Sequence, residues 1–395
     1  MTRLSFYLKR LGIVVAILWL PENATALSVS KRQRQQQLQP QFGTKTTTTR
    51  IPVPPLFVST TPQSFYETLS SSNDHVSIAQ QLNVKPGMMD FSPRFWKFAW
   101  RMHGRLLPLL HIWDKARTAD LDNCLKVLWC KALVGLDWNS PAYDGGLAYD
   151  MLPSITRWLV KLPERVFPRL VHFIIELRTV YLDRALQEEM QRAKNLRSVS
   201  NVTQQQQNHT DSSFSRIRLV TLGAGYDTRS VKFLNDDGGW QIDEAWELDM
   251  PTVIASKSIM LERLRTRRRN AKIPRLVGQD LTDFVGLQQQ LTTIVDSDKK
   301  NKSEEWYTIF LVEGVLIYLK EEDRGRVLSI CSDVLRSQRQ HGSFLFADRI
   351  RKLRDPSTVQ IQKWLESDGW QLVDGSFCVH PGKARHMGAA RIVSP

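Results

Sequence analysis

The chain has 395 residues, 42% hydrophobic and 24% charged, which leaves room for one large domain or two ordinary ones and excludes a mostly disordered polypeptide. The four cysteines, Cys124, Cys130, Cys331 and Cys378, contain no Cys-x-x-Cys pair; this excludes a disulfide-stapled scaffold, argues against a cysteine-rich zinc site and predicts isolated buried thiols, with no metal expected. The net charge of +14 (54 Lys and Arg against 40 Asp and Glu) suggests polyanion binding until it is divided along the chain: residues 1–66 carry eight basic side chains and the single acid Glu22, so half of the excess sits there and the remainder is only mildly basic.

Arg3, Lys9 and Arg10 precede the apolar run Leu11 to Leu20, and Ala24-Thr25-Ala26 follows with the small-x-small pattern of a cleavage site. Residues 1–26 therefore read as a secretory signal peptide, with a signal anchor as the alternative because the run is short for a bilayer span. No other stretch is a transmembrane candidate, and no membrane span is expected in the mature chain. Residues 27–84 form a transit-like or disordered linker: from Asn23 to Tyr66 there is no acid, while Lys31, Arg32, Arg34, Lys45 and Arg50 are scattered among Gln, Thr, Ser and Pro. Such a leader resembles the bipartite leaders of plastids reached through the secretory pathway; an ordinary lumenal protein with a floppy linker is the other reading. Asn201-Val-Thr203 and Asn208-His-Thr210 are sequons usable on that route.

Residues 85–395 are expected to form the folded domain. Its amino-terminal part, 85–194, is aromatic and helix-like, with Phe91, Phe95, Trp96, Phe98, Trp100, Trp113, Trp129 and Trp138 among Leu and basic residues; the Trp stripe reads as core. Phe167 to Met190 has helical period. The Gln/Asn/Ser/Thr-rich stretch 195–215 predicts an inserted exposed loop. In 216–395 strand and helix alternate: strands at Ile217–Leu222, Ala245–Asp249, Arg275–Asp280, Tyr307–Val312 and Ser343–Ala347, a closing pair at Gln371–Val373 and Ala390–Val393, and helices such as Thr252–Arg269 and Glu321–Arg336. The fold class is α/β, a doubly wound, mostly parallel sheet with an added helical amino-terminal subdomain and with ligands expected at the carboxyl ends of the strands.

The first strand runs into Gly223-Ala-Gly225-Tyr-Asp227-Thr-Arg229, a glycine turn that lets a ligand approach the backbone. Position 228 is Thr, so the third glycine of the dinucleotide fingerprint is missing, which counts against a pyrophosphate cradle. Acids close the next three strands. Asp249, 26 residues after Gly223, can take two hydrogen bonds from a ribose diol; Asp280 can accept from an adenine amino group; Glu313 closes the fourth. Each alone reads as a helix cap or turn former. Together with the glycine turn they favour an adenosine-containing cofactor without phosphate, and S-adenosyl-L-methionine fits that description.

Five motifs, Arg178-Thr-x-x-x-Asp183, Leu222-Gly-Ala-Gly-Tyr-Asp-Thr-Arg229, Glu247-Leu-Asp-Met-Pro251 followed by Lys257, Asp280-Leu281 and Glu313-Gly-Val-Leu-Ile-Tyr-Leu319, stand in that order over roughly residues 145–350. The set resembles the leucine carboxyl methyltransferase family. The resemblance implies a Rossmann-like methyltransferase fold and an S-adenosylmethionine-dependent enzyme. It further implies that Arg178 holds the cofactor carboxylate, Gly223 lies against its amino-acid portion, Asp249 binds ribose, Asp280 and Leu281 border adenine and Glu313 faces the ammonium, with Asp227 supporting the glycine loop. The leader, the glutamine-rich loop and the Trp-rich region have no counterpart in the family member that methylates a phosphatase carboxyl terminus, so a small-molecule or peptide carboxylate is the expected substrate.

A carboxylate acceptor is already ionised at neutral pH and needs no general base; Tyr226, Tyr318 and Arg229 are geometric candidates to position it, with loop or core roles as the plainer reading. No histidine sits in a motif that nominates it as a base, and no catalytic residue is assigned. The basic run Arg263, Arg265, Arg267, Arg268, Arg269, Lys272 and Arg275 continues a helix whose apolar positions Ile254, Ile259 and Leu261 are expected to face inward, so a solvated face is favoured and nucleic acid is not an expected partner. A cofactor-binding scaffold without activity and an NAD-type oxidoreductase remain the rival readings. A fluorescent fusion of residues 1–75 is expected to enter the secretory route; uniform cytosolic fluorescence would refute the leader assignment.

Overall fold

A computed structural model of the chain describes residues 65–70, 78, 80–84, 122–137, 139–154, 156–157, 173–204, 216–296, 306–350, 356–380 and 385–392. The chain divides into two units, Met1–Thr60 and Thr61–Pro395. All described residues belong to the second. The predicted signal peptide, most of the predicted linker and the Trp-rich stretch from Phe91 to Trp113 lie outside them.

In chain order the elements are α1 (Phe65–Ser70), α2 (Asp122–Leu136), α3 (Leu147–Met151), α4 (Phe173–Gln204), β1 (Arg216–Leu222), α5 (Arg229–Leu234), β2 (Glu244–Asp249), α6 (Pro251–Arg267), β3 (Arg275–Gly278) and α7 (Phe284–Asp296). They continue with β4 (Trp306–Glu313), a 3₁₀ turn (Leu316–Tyr318), α8 (Glu321–Ser337), β5 (His341–Asp348), α9 (Thr358–Ser367), β6 (Trp370–Leu372), β7 (Cys378–His380) and β8 (Arg385–Ile392). The sheet runs β3-β2-β1-β4-β5-β8-β6, with β7 added on β8. Strands β1 to β5 are parallel and β8 is antiparallel to β5, β6 and β7. The order reverses between β1 and β4, the topological switch point at whose carboxyl ends sheets of this kind bind ligands.

Strands β1 and β4 are buried on both faces, which is why they read as near-continuous apolar runs. Ile217 and Leu219 of β1 and Ile309 and Leu311 of β4 meet α4 on one face. On the other face Val220, Leu222, Phe310 and Val312 meet α7, α8 and α9. A third cluster packs α2 and α3 against α6 and includes Trp129. The fold is therefore the expected doubly wound, mostly parallel sheet. Cys130, Cys331 and Cys378 are buried and Cys124 half-buried, and none of the four is in a disulfide.

Boundaries differ where tertiary contacts decide them. Helix α4 continues through 195–204, where the polar stretch predicted a loop, because no Gly or Pro interrupts residues 173–204; 205–215 lie outside the described residues. The third strand stops at Gly278, so Gln279 and Asp280 belong to the turn. The closing pair forms, with Gln371 opposite Arg391, but β8 starts earlier, at Arg385. Its small Gly388, Ala389 and Ala390 hide it from a hydrophobicity reading; a Cβ on Gly388 would collide with the Phe346 ring, so β5 supplies the bulk at that point. The inward face of α6 is Val253, Met260, Leu261 and Leu264, whereas Ile259 is exposed and Ile254 half-buried, a correction to the predicted face.

Phe310 is fully buried and meets Trp370 edge-on with ring centroids 6.4 Å apart. Phe310→Ala is expected to cost about 3–5 kcal/mol in chemical denaturation, the range for deleting a large core aromatic.

Candidate functional site

Gly223 and Gly225 have φ of +65° and +45°, the left-handed region that side chains avoid. A Cβ on Gly223 would also collide with Val315, so the first loop lies against the turn that follows β4. Asp249, at the end of β2, fixes the loop from its other side: one carboxylate oxygen accepts from the Gly225 N–H at 2.7 Å and the other from Met250 N–H at 2.7 Å. Burial raises the Asp249 carboxyl above its ordinary value, and these two amides offset part of the rise. Beneath the loop, Lys257 and Glu247 are both fully buried with Nζ and Oε2 2.7 Å apart, and the Lys257 ammonium faces the Ala224 carbonyl at 3.5 Å. Tyr226 Oη and Ser256 Oγ share a hydrogen bond of 2.6 Å.

Glu313 is the hub. Its side chain is 6% exposed and lies 3.0 Å from Lys131 Nζ, 2.7 Å from Arg229 Nη1 and 2.5 Å from Arg178 Nε. Lys131 also donates to Asp227 at 2.9 Å, and Arg229 pairs with Asp227 and, at 2.6 Å, with Asp183. Lys232 closes the group on Asp183 at 2.6 Å. Burial by itself would raise both acids. For Glu313 the surrounding Lys131, Arg229 and Arg178 outweigh it and hold the carboxyl well below its ordinary value; Arg229 and Lys131 do the same for Asp227. A small cavity adjoins the cluster, walled in part by Lys131, Asp144, Asp183, Arg229 and Lys232.

The sequence-predicted residues fall into two groups. Arg178 meets Glu313 directly, while Gly223 lies against Val315, two residues beyond Glu313, and Asp249 holds the same glycine loop through Gly225. Asp280 stands on the same rim beyond β3, where its carboxylate accepts from Thr282 N–H and Oγ1 at 2.8 Å each, as a turn former does. Leu281 is buried in the core under that rim. Of the candidates for positioning an acceptor, Tyr226 and Arg229 are buried and engaged, which gives them the loop and core roles, while Tyr318 is 70% exposed. Lys131 escaped the sequence reading. Its signal was a lone charge in the apolar run Val127 to Val134 of α2, where a buried lysine requires a carboxylate partner.

Three of the seven basic residues of the run are put to structural use. Arg267 donates to the carbonyls of Asp150 and Leu152, Arg268 pairs with Asp150 at 2.8 Å, and Arg275 pairs with Glu244 at 3.0 Å. These contacts tie α6 to α3 and β3 to β2.

Because Glu313 and Asp227 are held low, the stability they confer is complete above the ordinary carboxylate range and is lost as pH falls through their lower folded values. Lys131→Met removes one partner from a buried ionic cluster and is expected to cost about 3–5 kcal/mol at neutral pH in chemical denaturation. A change within about 0.5 kcal/mol, the surface norm, would contradict this account.

Residues 153–331 match a family model described as leucine carboxyl methyltransferase. No curated protein matches the chain. Solved structures that resemble it include magnesium protoporphyrin IX methyltransferase (ChlM) from Synechocystis PCC 6803 with bound SAM, at 10% identity and TM-score 0.34 over 64% of this chain and 97% of that one. The citrinin polyketide synthase CMeT domain gives 12% and 0.29 over 79% and 100%, and human N-acetylserotonin methyltransferase (ASMT) in complex with SAM gives 11% and 0.28 over 83% and 90%. The fold is given by the strand order itself. The matched segment takes in Arg178, the glycine loop, Asp249, Asp280, Leu281 and Glu313 but not Lys131. Residues 153–331 are therefore similar in sequence to the leucine carboxyl methyltransferase family.

Proposed function

We propose that the protein is an S-adenosylmethionine-dependent methyltransferase acting on the carboxylate of a small molecule or peptide. The observation that carries this reading is the junction of three loops at the switch point: Gly225 bonded to Asp249, Gly223 against Val315, and Glu313 bound into the Lys131, Arg178 and Arg229 cluster.

The donor set fits the cofactor group by group. Asp249 would accept from the ribose hydroxyls, Asp280 and Leu281 would border adenine, and the two left-handed glycines would admit the amino-acid portion close to the backbone. Arg178 and Lys131 would face its carboxylate and Glu313 its ammonium. A diphosphate fits poorly: the first amide of α5, Arg229 N–H, is directed at Asp227 Oδ1 at 3.2 Å, so a carboxylate already occupies the place where a dinucleotide phosphate would be held. This weighs against the oxidoreductase reading.

When bound, S-adenosylmethionine supplies an electrophilic methyl group on a sulfonium. The protein's task is then to align an acceptor oxygen with that methyl and keep water out. A carboxylate acceptor arrives ionised, so no side chain has to remove a proton. That suits the surroundings: His386, beside the end of β5, is buried with Nδ1 accepting from the Ile350 N–H at 3.3 Å. Tyr318, exposed on the turn after Glu313, is the side chain we assign to orient the acceptor. Among the described residues no helix is long and apolar enough to cross a membrane; entry into the secretory route, and a plastid destination, are proposed on the leader alone.

Calorimetry is expected to show micromolar binding of S-adenosylmethionine or S-adenosylhomocysteine, abolished by Asp249→Ala. Affinity should fall as pH is lowered through the raised value of Asp249, because its ionised form accepts from the ribose. Binding of NAD(H) instead would reverse the assignment. Cofactor binding with no labelled-methyl transfer to any acceptor in cell extract would favour an inactive scaffold.

A further inference from the structure

We propose that Asp348 is a positioning residue for the donor site: by gathering the amides of the turn after β4, it sets where Glu313 and that turn stand against the glycine loop. The inference rests on the methyltransferase reading above.

Asp348 ends β5 and is fully buried. Its Oδ2 accepts from Val315 N–H and Leu316 N–H, both at 2.6 Å, and its Oδ1 from Ile317 N–H at 3.1 Å and Arg349 N–H at 2.6 Å. The first amides of a helical turn have no partner within it, and leaving them buried and unpaired would be costly. Here a carboxylate from the neighbouring strand accepts them, and charge-assisted bonds of this kind are the strong ones. The turn has little else of its own, with Tyr318 N–H on the Val315 carbonyl at 3.0 Å and Leu319 N–H on the Leu316 carbonyl at 3.0 Å. Arg324 secures the far end, donating to the carbonyls of Leu319, Arg349 and Ile350.

The consequence is felt at the site, although the bonds of Asp348 run to backbone. Gly314 adopts φ +70° and connects Glu313 to the anchored turn, with Glu313 opposite Ala347 in the β4–β5 register. Val315, whose amide Asp348 holds, is the residue that covers Gly223. If the turn were released, Val315 would leave the first loop and the Glu313 backbone would lose its fixed exit from the strand. The nucleoside half of the site, at Asp249 and Asp280, is borne by β2 and β3 and meets that turn only through the glycine loop.

The two halves can be read separately. Calorimetry on the full folded protein would compare S-adenosylhomocysteine with 5′-methylthioadenosine, which keeps the nucleoside and lacks the amino-acid end. Asp348→Asn is expected to weaken the first by about tenfold and the second by less than about twofold. Equal weakening of both, as a merely structural role would give, or no weakening of either, would overturn the proposal. Hydrogen exchange on the wild type serves should the variant not fold: the Val315, Leu316 and Ile317 amides should be protected, and more so with S-adenosylhomocysteine than with methylthioadenosine. Free exchange of those amides would overturn the assignment as well. Wild-type protein that binds neither ligand would remove the methyltransferase reading and the positioning role together, a result distinct from any given by the variant.

Discussion

A carboxylate taken out of water must find positive charge, and Glu313 shows how much of this structure answers to that requirement. Its ionised form survives burial because Lys131 from α2, Arg178 from α4 and Arg229 from α5 converge on it. Those cations in turn require Asp227 and Asp183. Three helices are thereby fixed in relation to the β4 exit by a single ionic cluster of four cations and three acids. Stripping any one member leaves an uncompensated buried charge, so the cluster specifies an arrangement more than it adds stability.

The glycine loop is held by a second use of the same physics. Asp249 caps it from the rim with one carboxylate oxygen on the Gly225 amide, and the sealed Glu247–Lys257 pair supports it from below. Lys257 lies on the buried face of α6 with Val253, Met260 and Leu264. Its charge is tolerated there because β2 places Glu247 within 2.7 Å. The loop is therefore positioned from three strands, β2 by hydrogen bonds and an ion pair, β4 through Val315 and β5 through Asp348.

Away from the rim, a further buried acid links the periphery to the sheet. Glu189 of α4 accepts from Tyr307 of β4 at 2.8 Å and from Tyr66 of α1 at 3.4 Å, and pairs with Arg391 of β8 at 2.7 Å. The segment near Tyr66 is thus part of the folded unit, and the linker predicted to reach residue 84 ends earlier. Ile78, Leu82 and Val84 are buried in the same cluster.

The sequence by itself determined the strands whose residues are buried on both faces, since apolar runs such as Ile217–Leu222 and Tyr307–Val312 have no other way to leave water. It also determined the rim motifs, because Gly223, Asp249 and Glu313 fall at strand ends and strand ends are fixed by those runs. It could not determine partners. Lys131 and Glu313 are 182 residues apart, and the four amides on Asp348 include three contributed more than thirty residues earlier. Contacts of that separation carry no local periodicity. Nor could local pattern show β8, whose small residues are dictated by Phe346 on the neighbouring strand. Which amides and cations each rim acid meets was decided when the sheet placed β1 between β2 and β4, because charge and desolvation act through space and not along the chain.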